Sequence, residues 1–170
     1  MPKFIALLRA VNVGGTGKLS MADLKSICAD AGFEAIETYI ASGNVVFESS
    51  AAASRVQSEL ESRLRSYGKR PIEVFVRTAR ELQQVLRGNP FPKAEPALTY
   101  VFFLRNKPPA DAASNVMRRA NEDLRAGKRE LYVHYPLGMG QSKLVIPAAQ
   151  NATARNMNTV AKLVAMSSSQ

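Results

Sequence analysis

Apolar residues fall into two alternating patterns through the first 77 residues. Short apolar and β-branched runs separated by polar residues predict strands, and apolar residues recurring every three or four positions between them predict amphipathic helices. Ser20 with Asp23 resembles a helix-capping box. The predicted strands cover residues 3–9, 35–40, 45–49 and 72–77, and the predicted helices cover residues 21–31 and 52–67.

The order βαββαβ is that of a ferredoxin-like sandwich, in which two helices cover one face of a four-stranded antiparallel sheet. We therefore predict an α+β fold with a ferredoxin-like subdomain over residues 1–77. In this topology the loop after the first strand and the turn between the second and third strands lie at one edge. Residues 45–47 are apolar on both faces of the third strand, so both faces are expected to be covered.

The pattern after residue 77 predicts a second, smaller α+β subdomain behind a turn-rich linker at residues 88–92. Its predicted elements are a helix over 79–86, a strand over 99–104, a helix over 111–124, a strand over 130–134, an apolar stretch over 144–146 and a helix over 158–166. The predicted organisation is a first subdomain over 1–77, a helix and linker over 78–97, a second subdomain over 98–166 and a disordered tail over 167–170.

The composition is that of an ordinary globular protein, with 46% hydrophobic and 22% charged residues. No apolar run approaches the roughly 20 residues that a membrane span needs, and the run at 4–8 is too short for a signal peptide. A soluble, cytoplasmic protein is expected. One cysteine and one histidine cannot form an internal disulfide or a closed zinc site, so neither a structural metal nor a cofactor is predicted.

The net charge of +9 is uneven, since residues 1–77 carry +2 and residues 78–170 carry +7. A basic surface attracts nucleic acids, nucleotides, other anions or acidic proteins without specifying which. An RNA-recognition motif is disfavoured, because strands one and three offer only Phe4 and Phe47 for stacking on bases. Non-specific nucleic-acid binding stays open because of a basic cluster on the predicted helix and the turn after it, comprising Arg118, Arg119, Arg125, Lys128 and Arg129.

The segment 12–18 reads Asn-Val-Gly-Gly-Thr-Gly-Lys and joins the first strand to the first helix. It approaches the Walker A pattern, but Asn12 replaces the first glycine and Leu19 replaces the hydroxyl residue that would hold magnesium. Gly14 and Gly15 can turn backbone N–H groups toward one point, and Lys18 adds a positive charge. The segment is either a nest for a phosphate or carboxylate or a purely structural connection.

Three further residues are predicted at the same edge of the sheet. Arg9 ends the first strand, while Ser42 and Asn44 flank Gly43 in the turn between strands two and three. A tight turn by itself accounts for Gly43 and Asn44, because both residue types readily adopt positive φ values. Because the turn is expected opposite the glycine-rich segment at 12–18, Ser42 and Asn44 are also predicted to contact a ligand.

Arg155, Asn156 and Asn158 precede the last predicted helix. They either cap its backbone N–H groups or provide a second anion contact at a helix N-terminus. His134 ends an apolar strand without a triad partner, which favours a structural role over catalysis. Cys28 lies on the apolar stripe of the first helix and is expected in the core.

Several motifs together resemble one bacterial family, the domain of unknown function 1697. They are Leu-Leu-Arg at 7–9, Asn-Val-Gly-Gly at 12–15, Tyr-Ile at 39–40, Ser-Gly-Asn-Val at 42–45, Asn-Pro-Phe at 89–91, Ser-Lys-Leu at 142–144, Thr-Ala-Arg-Asn at 153–156, Asn-Thr-Val at 158–160 and Lys-Leu at 162–163. The resemblance implies a two-subdomain α+β fold with a ferredoxin-like first part and no established activity. The chain departs from the family pattern at Ala10, where glycine is common, and at Met157, where tryptophan is common.

The leading functional prediction is a module that binds an anionic small molecule, such as a nucleotide or phosphorylated metabolite. Its predicted contacts come from the glycine-rich segment, the Ser42 turn and the Arg155 segment. Non-specific nucleic-acid binding by the basic second half is one alternative. An enzyme using His134 or Arg9 with an unrecognised acid is the other.

Overall fold

The computed structural model describes residues 1–9, 19–40 and 42–168. The chain divides into two compact units. The first comprises Met1–Leu82 together with the chain from Leu163 onward, and the second comprises Gln83–Lys162.

The first unit has the predicted βαββαβ order. Its elements are β1 at Lys3–Leu8, α1 at Met21–Asp30, β2 at Glu34–Tyr39, β3 at Asn44–Glu48, α2 at Ala53–Gly68 and β4 at Val74–Thr78. The four strands form an antiparallel sheet in the order β2-β3-β1-β4. Because β3 lies between β1 and β2, the end of β1 and the β2–β3 turn share one edge of the sheet, as predicted.

The two helices and one sheet face form the core of the first unit. Leu24 and Cys28 of α1 and Leu60 of α2 are fully buried against strand residues that include Phe47, whose ring stacks on Phe33 at 4.3 Å between centroids. The opposite sheet face is buried as well, which agrees with the apolar pattern of β3. Its buried residues include Ile5, Leu7, Val46, Phe75 and Arg77.

The second unit contains a second antiparallel four-stranded sheet, in the order β6-β7-β5-β8. The chain as a whole is therefore α+β, as predicted. The remaining elements of the chain are α3 at Ala79–Arg87, β5 at Thr99–Phe103, β6 at Asp123–Ala126, β7 at Glu130–His134, β8 at Thr153–Asn156 and α4 at Met157–Ser168.

The predicted helix over residues 111–124 is wrong. After one turn, in which Asn115 N donates to Asp111 O at 2.7 Å, the chain continues through turns, and Arg118 adopts a left-handed φ of 59°. Ser, Asn and Asp favour such turns because their side chains and backbone groups bond locally. Two differences accompany this one: residues 123–126 form β6, and Val145 of the predicted apolar stretch forms an isolated bridge with Met117.

Residues 153–156 form strand β8, whereas the sequence suggested a capping segment ahead of the last helix. Thr153 and Arg155 lie opposite Phe103 and Val101 of β5. α4 continues through Ser168, two residues into the predicted tail.

Tyr132 of β7 joins the sheet of the second unit to the C-terminal part of α3. Its hydroxyl donates to Val85 O at 2.7 Å. Two glycines lie against this side chain: a Cβ on Gly88 would come within 3.1 Å of the hydroxyl oxygen, and a Cβ on Gly127 within 3.1 Å of a ring carbon. The tyrosine therefore occupies space that any larger residue at either position would enter.

No helix in the described part of the chain has the length and apolar character needed to cross a membrane.

The buried face of α2 gives a stability prediction. Replacing fully buried Leu60 by alanine is expected to lower the free energy of unfolding by about 2–5 kcal/mol, because the substitution leaves a cavity between helix and sheet. Ser58→Ala, at an exposed position of the same helix, should change it by no more than about 0.5 kcal/mol. Urea denaturation followed by circular dichroism tests both, and equal effects of the two substitutions would contradict the packing.

Candidate functional site

The end of β1 is tied directly to the β2–β3 turn. Leu8 N donates to Gly43 O at 2.9 Å, and Leu7 lies opposite Asn44 in the β1–β3 ladder. The predicted edge therefore exists, with Arg9 on one side and Ser42 on the other.

The side chain of Asn44 stabilises the turn through hydrogen bonds. Its side chain is fully buried, and Nδ2 donates to Tyr39 O at 2.8 Å and to Ser42 Oγ at 3.0 Å. Gly43 has a φ of 90°, and Ile40 takes a left-handed φ of 49° with about half of its side chain exposed. Asn44 thus has the structural role, while Ser42 is exposed at the tip of the turn.

Arg9 projects from the end of β1 toward the segment that precedes β4. Its Nη1 lies 3.3 Å from Glu73 Oε1, and its backbone N–H donates to Glu73 O at 3.0 Å. The side chain remains 35% exposed. A cation at the surface of this edge is therefore partly balanced by one carboxylate.

The predicted ligand residues Asn12, Gly14, Gly15 and Lys18 lie outside the described residues. The chain resumes at Leu19, which is buried, and Ser20 caps α1, with its Oγ accepting a bond from Asp23 N at 3.0 Å. The predicted capping interaction is confirmed.

Of the predicted residues in the second unit, Arg155 is 6% exposed on β8. Its Nη1 donates to Thr153 Oγ1 at 2.7 Å and to Ala154 O at 2.9 Å, and burial lowers its pKa to about 10. Asn156 Oδ1 accepts a bond from Thr159 N at 2.9 Å, which caps α4, and Asn158 is exposed. These contacts of Arg155 and Asn156 lie within β8 and at the start of α4.

His134 is half-buried at the end of β7, with its ring 6.0 Å from that of Phe91. Arg125 lies over the same Phe91 ring, with its guanidinium carbon 5.9 Å from the ring centre. Cys28 is buried in the first core, where desolvation raises the pKa of the thiol to about 12. A thiol with that pKa stays protonated at neutral pH and is a poor nucleophile.

Among the described side chains, no group of three or more His, Cys, Asp or Glu residues is arranged to hold a metal ion.

A groove that the sequence did not indicate opens in the second unit. Its walls come from residues 118–122 and 135–143, and its volume is about 560 Å³. Arg118 and Lys143 are exposed in these walls, and Leu137 contributes an apolar side chain that is 70% exposed. The volume lies within the range of ligand-binding pockets.

Glu122 joins the two walls of this groove. Its Oε2 accepts a bond from Ser142 Oγ at 2.5 Å and its Oε1 accepts one from Ala120 N at 2.7 Å, while the residue is only 3% exposed. These two bonds, the serine contribution being larger, lower the pKa of the carboxyl group. The carboxylate is therefore directed inward and stabilises the loops that shape the groove.

Sequence reasoning missed the groove because its walls are loops without periodic patterning. The erroneous helix over 111–124 put Arg118 and Glu122 on one regular element. One signal of the groove was present in the sequence. Leu137 is an apolar residue directly before Gly138 in a turn, and residues in a turn are exposed to solvent.

Comparison with known proteins identifies a family and a fold. The family model described as "Protein of unknown function (DUF1697)" matches residues 1–132, which confirms the resemblance seen in the sequence. The chain is similar in structure to the conserved bacterial protein SP0830 from Streptococcus pneumoniae, with a TM-score of 0.79, 21% sequence identity and 98% of each chain covered. No curated protein matches the sequence.

The buried amide of Asn44 gives a second prediction. Asn44→Ala removes both donated bonds of the turn and leaves Tyr39 O without that partner, so the free energy of unfolding should fall by about 1–3 kcal/mol. Ser42→Ala, at the exposed end of the same network, should cost less than about 1 kcal/mol. Urea denaturation measures both values, and an Asn44→Ala variant as stable as the parent would refute the structural role.

The lowered pKa of Glu122 predicts a pH dependence of stability. In the unfolded chain this carboxyl binds protons at higher pH than in the folded chain, so its stabilising contribution is present above the unfolded pKa of 4.5 and is lost as the pH falls through the folded value. In Glu122→Gln the melting temperature should therefore fall less steeply between about pH 5 and about pH 3. Glu95→Gln, an exposed glutamate of the same unit, should keep the parental slope.

Proposed function

This chain belongs to the DUF1697 family of proteins of unknown function, and we propose that it is a module that binds an anionic small molecule, such as a nucleotide or a phosphorylated metabolite. The observation that carries the proposal is the bond between Leu8 N and Gly43 O. It holds the end of β1, from which the chain runs on toward the glycine-rich segment, beside the Ser42 turn. The proposed site belongs to the first unit alone.

The chemistry of the segment supports an anion as ligand. Glycines in succession let consecutive backbone N–H groups point at one atom, and such nests bind phosphate and carboxylate groups. Lys18 ends the segment, and Arg9 stands before it with about a third of its side chain exposed. The proposed contacts are Arg9, Asn12, Gly14, Gly15, Lys18 and Ser42, with Asn44 holding the turn.

The proposed role is binding without phosphate hydrolysis. A nucleoside triphosphatase loop of the Walker type needs a hydroxyl residue after the lysine to hold magnesium, and the chain has Leu19 at that position. Leu19 is buried in the core and offers no oxygen ligand. Arg155 and Asn156 belong to the second unit, and the site proposed here is confined to the first.

The proposal predicts stabilisation by anions. ATP, pyrophosphate or glucose 6-phosphate should raise the melting temperature in a concentration-dependent way, since a ligand at roughly 100 times its dissociation constant adds about 2.7 kcal/mol of stability. Lys18→Ala should weaken the effect by removing a charge from the segment. Differential scanning fluorimetry measures the shift.

Arg55→Ala removes a charge from an exposed position on α2 of the same unit and should leave the shift at its parental size. Arg9→Lys keeps a cation beside Glu73 and should give an intermediate shift. If no anion shifts the parental protein, or if Arg55→Ala and Lys18→Ala reduce the shift equally, the proposed site is refuted.

A further inference from the structure

We propose that the groove of the second unit, formed by residues 118–122 and 135–143, is a docking site for an acidic segment of a partner protein that carries aliphatic side chains. This site is separate from the proposed anion site of the first unit. Its evidence is the sign of the exposed charges in the groove and the apolar residues around it.

The accessible charges of the groove are positive. Arg118 and Lys143 are exposed in its walls, and neither forms an ion pair with another described residue. Glu122 also lines the groove, but both of its oxygens accept bonds from Ser142 and Ala120 and the residue is 3% exposed. A ligand entering the groove therefore meets two cations and little of the one carboxylate, which favours an acidic partner.

Large exposed apolar side chains lie in or next to the segments that line the groove and are called its apolar rim. Leu137 lines it, Met139 lies between two lining segments, and Met117 adjoins Arg118 and pairs with Val145. These are four of the seven large apolar side chains exposed in the described part of the chain. Exposed apolar clusters with polar neighbours mark protein–protein contacts, and methionine side chains adapt readily to a partner.

The apolar rim distinguishes a protein segment from other anionic partners. A small anion could bind Arg118 and Lys143 but would leave Leu137 and the two methionines in water. A single-stranded nucleic acid stacks its bases on exposed aromatic rings, whereas the large apolar side chains exposed around this groove are aliphatic or thioether. A second copy of this chain, with a net charge of +9, would be repelled by the first.

The test is selection of random dodecapeptides displayed on phage against the immobilised full-length protein. The expected result is enrichment of peptides that combine Asp or Glu with Leu, Ile, Val or Met. A selected peptide, labelled with fluorescein, then reports affinity by fluorescence anisotropy on the protein and its variants.

Three variants address the groove. Arg118→Gly removes a cation at a residue whose left-handed backbone conformation glycine adopts without strain. Lys143→Glu reverses a charge, and Leu137→Ser removes the apolar contact. Each should weaken peptide binding at least fivefold. Lys93→Glu makes the same charge change at an exposed position of this unit outside the groove and should leave the affinity within twofold. Circular dichroism melts verify that each variant is folded.

Several outcomes would overturn the proposal. They are the absence of enriched peptides, enrichment without acidic or without aliphatic residues, equal weakening by Lys93→Glu and Lys143→Glu, and displacement of the peptide by an unlabelled oligothymidylate at equal concentration. Loss of peptide binding in Lys18→Ala would show that the peptide occupies the first unit, which also overturns it. Retained peptide binding without any anion-induced shift would refute only the function proposed for the first unit.

Discussion

The antiparallel pairing of β1 with β3 and β4 is the constraint on which the first unit depends. Residues 4–8 of β1 are buried on both faces, so packing and ladder hydrogen bonds fix the same five positions. The pairing with β3 also determines where the chain leaves β1 and where it turns at Gly43. A slip of one residue would turn every side chain of β1 to the other face and separate Leu8 from the turn. The candidate anion site therefore follows from the register of one ladder.

Buried polar groups explain why motif residues need not be ligand residues. Asn44, Arg155 and Glu122 are all buried, and each bonds to groups of its own unit. In the part of the chain that the structure describes, no buried side-chain nitrogen or oxygen lacks a hydrogen-bond partner. A buried polar group without a partner costs about 1–3 kcal/mol, which is sufficient reason for such local networks. The exposed cations Arg118 and Lys143 stand in contrast to them.

The first unit was predictable from sequence because each of its elements has a clear local pattern. Strands β1, β3 and β4 are apolar runs bounded by turn residues, and the helices have apolar stripes and glycine ends. The second unit was harder to predict from its sequence. The segment 111–122 contains few apolar residues and several that bond locally, so helix-like spacing was a poor guide there. Strand β8 has only four residues, and its pairing with β5 depends on residues about 50 positions away in the chain.

The candidate sites were predictable to a different extent. The shared edge of β1 and the Ser42 turn follows from the order of the strands alone, which the sequence pattern predicts. The inward orientation of Glu122 and Arg155 could not, because burial of a charged residue depends on distant segments that pack around it. The groove walls, too, consist of loops whose paths depend on the bond between Glu122 and Ser142.

Tyr132 has a consequence for how this sequence can diverge. Gly88 and Gly127 both lie within van der Waals distance of its side chain, one after α3 and the other before β7. A Cβ at either glycine would press on the tyrosine more closely than ordinary van der Waals packing, so the Tyr132 side chain would have to shift by a few tenths of an ångström. At Gly88 the backbone carbonyl of Gln84, also 3.1 Å from such a Cβ, is a second close contact. The three positions are therefore coupled in the sequence although they are up to 44 residues apart. A larger residue at either glycine and a smaller one at position 132 are therefore complementary changes.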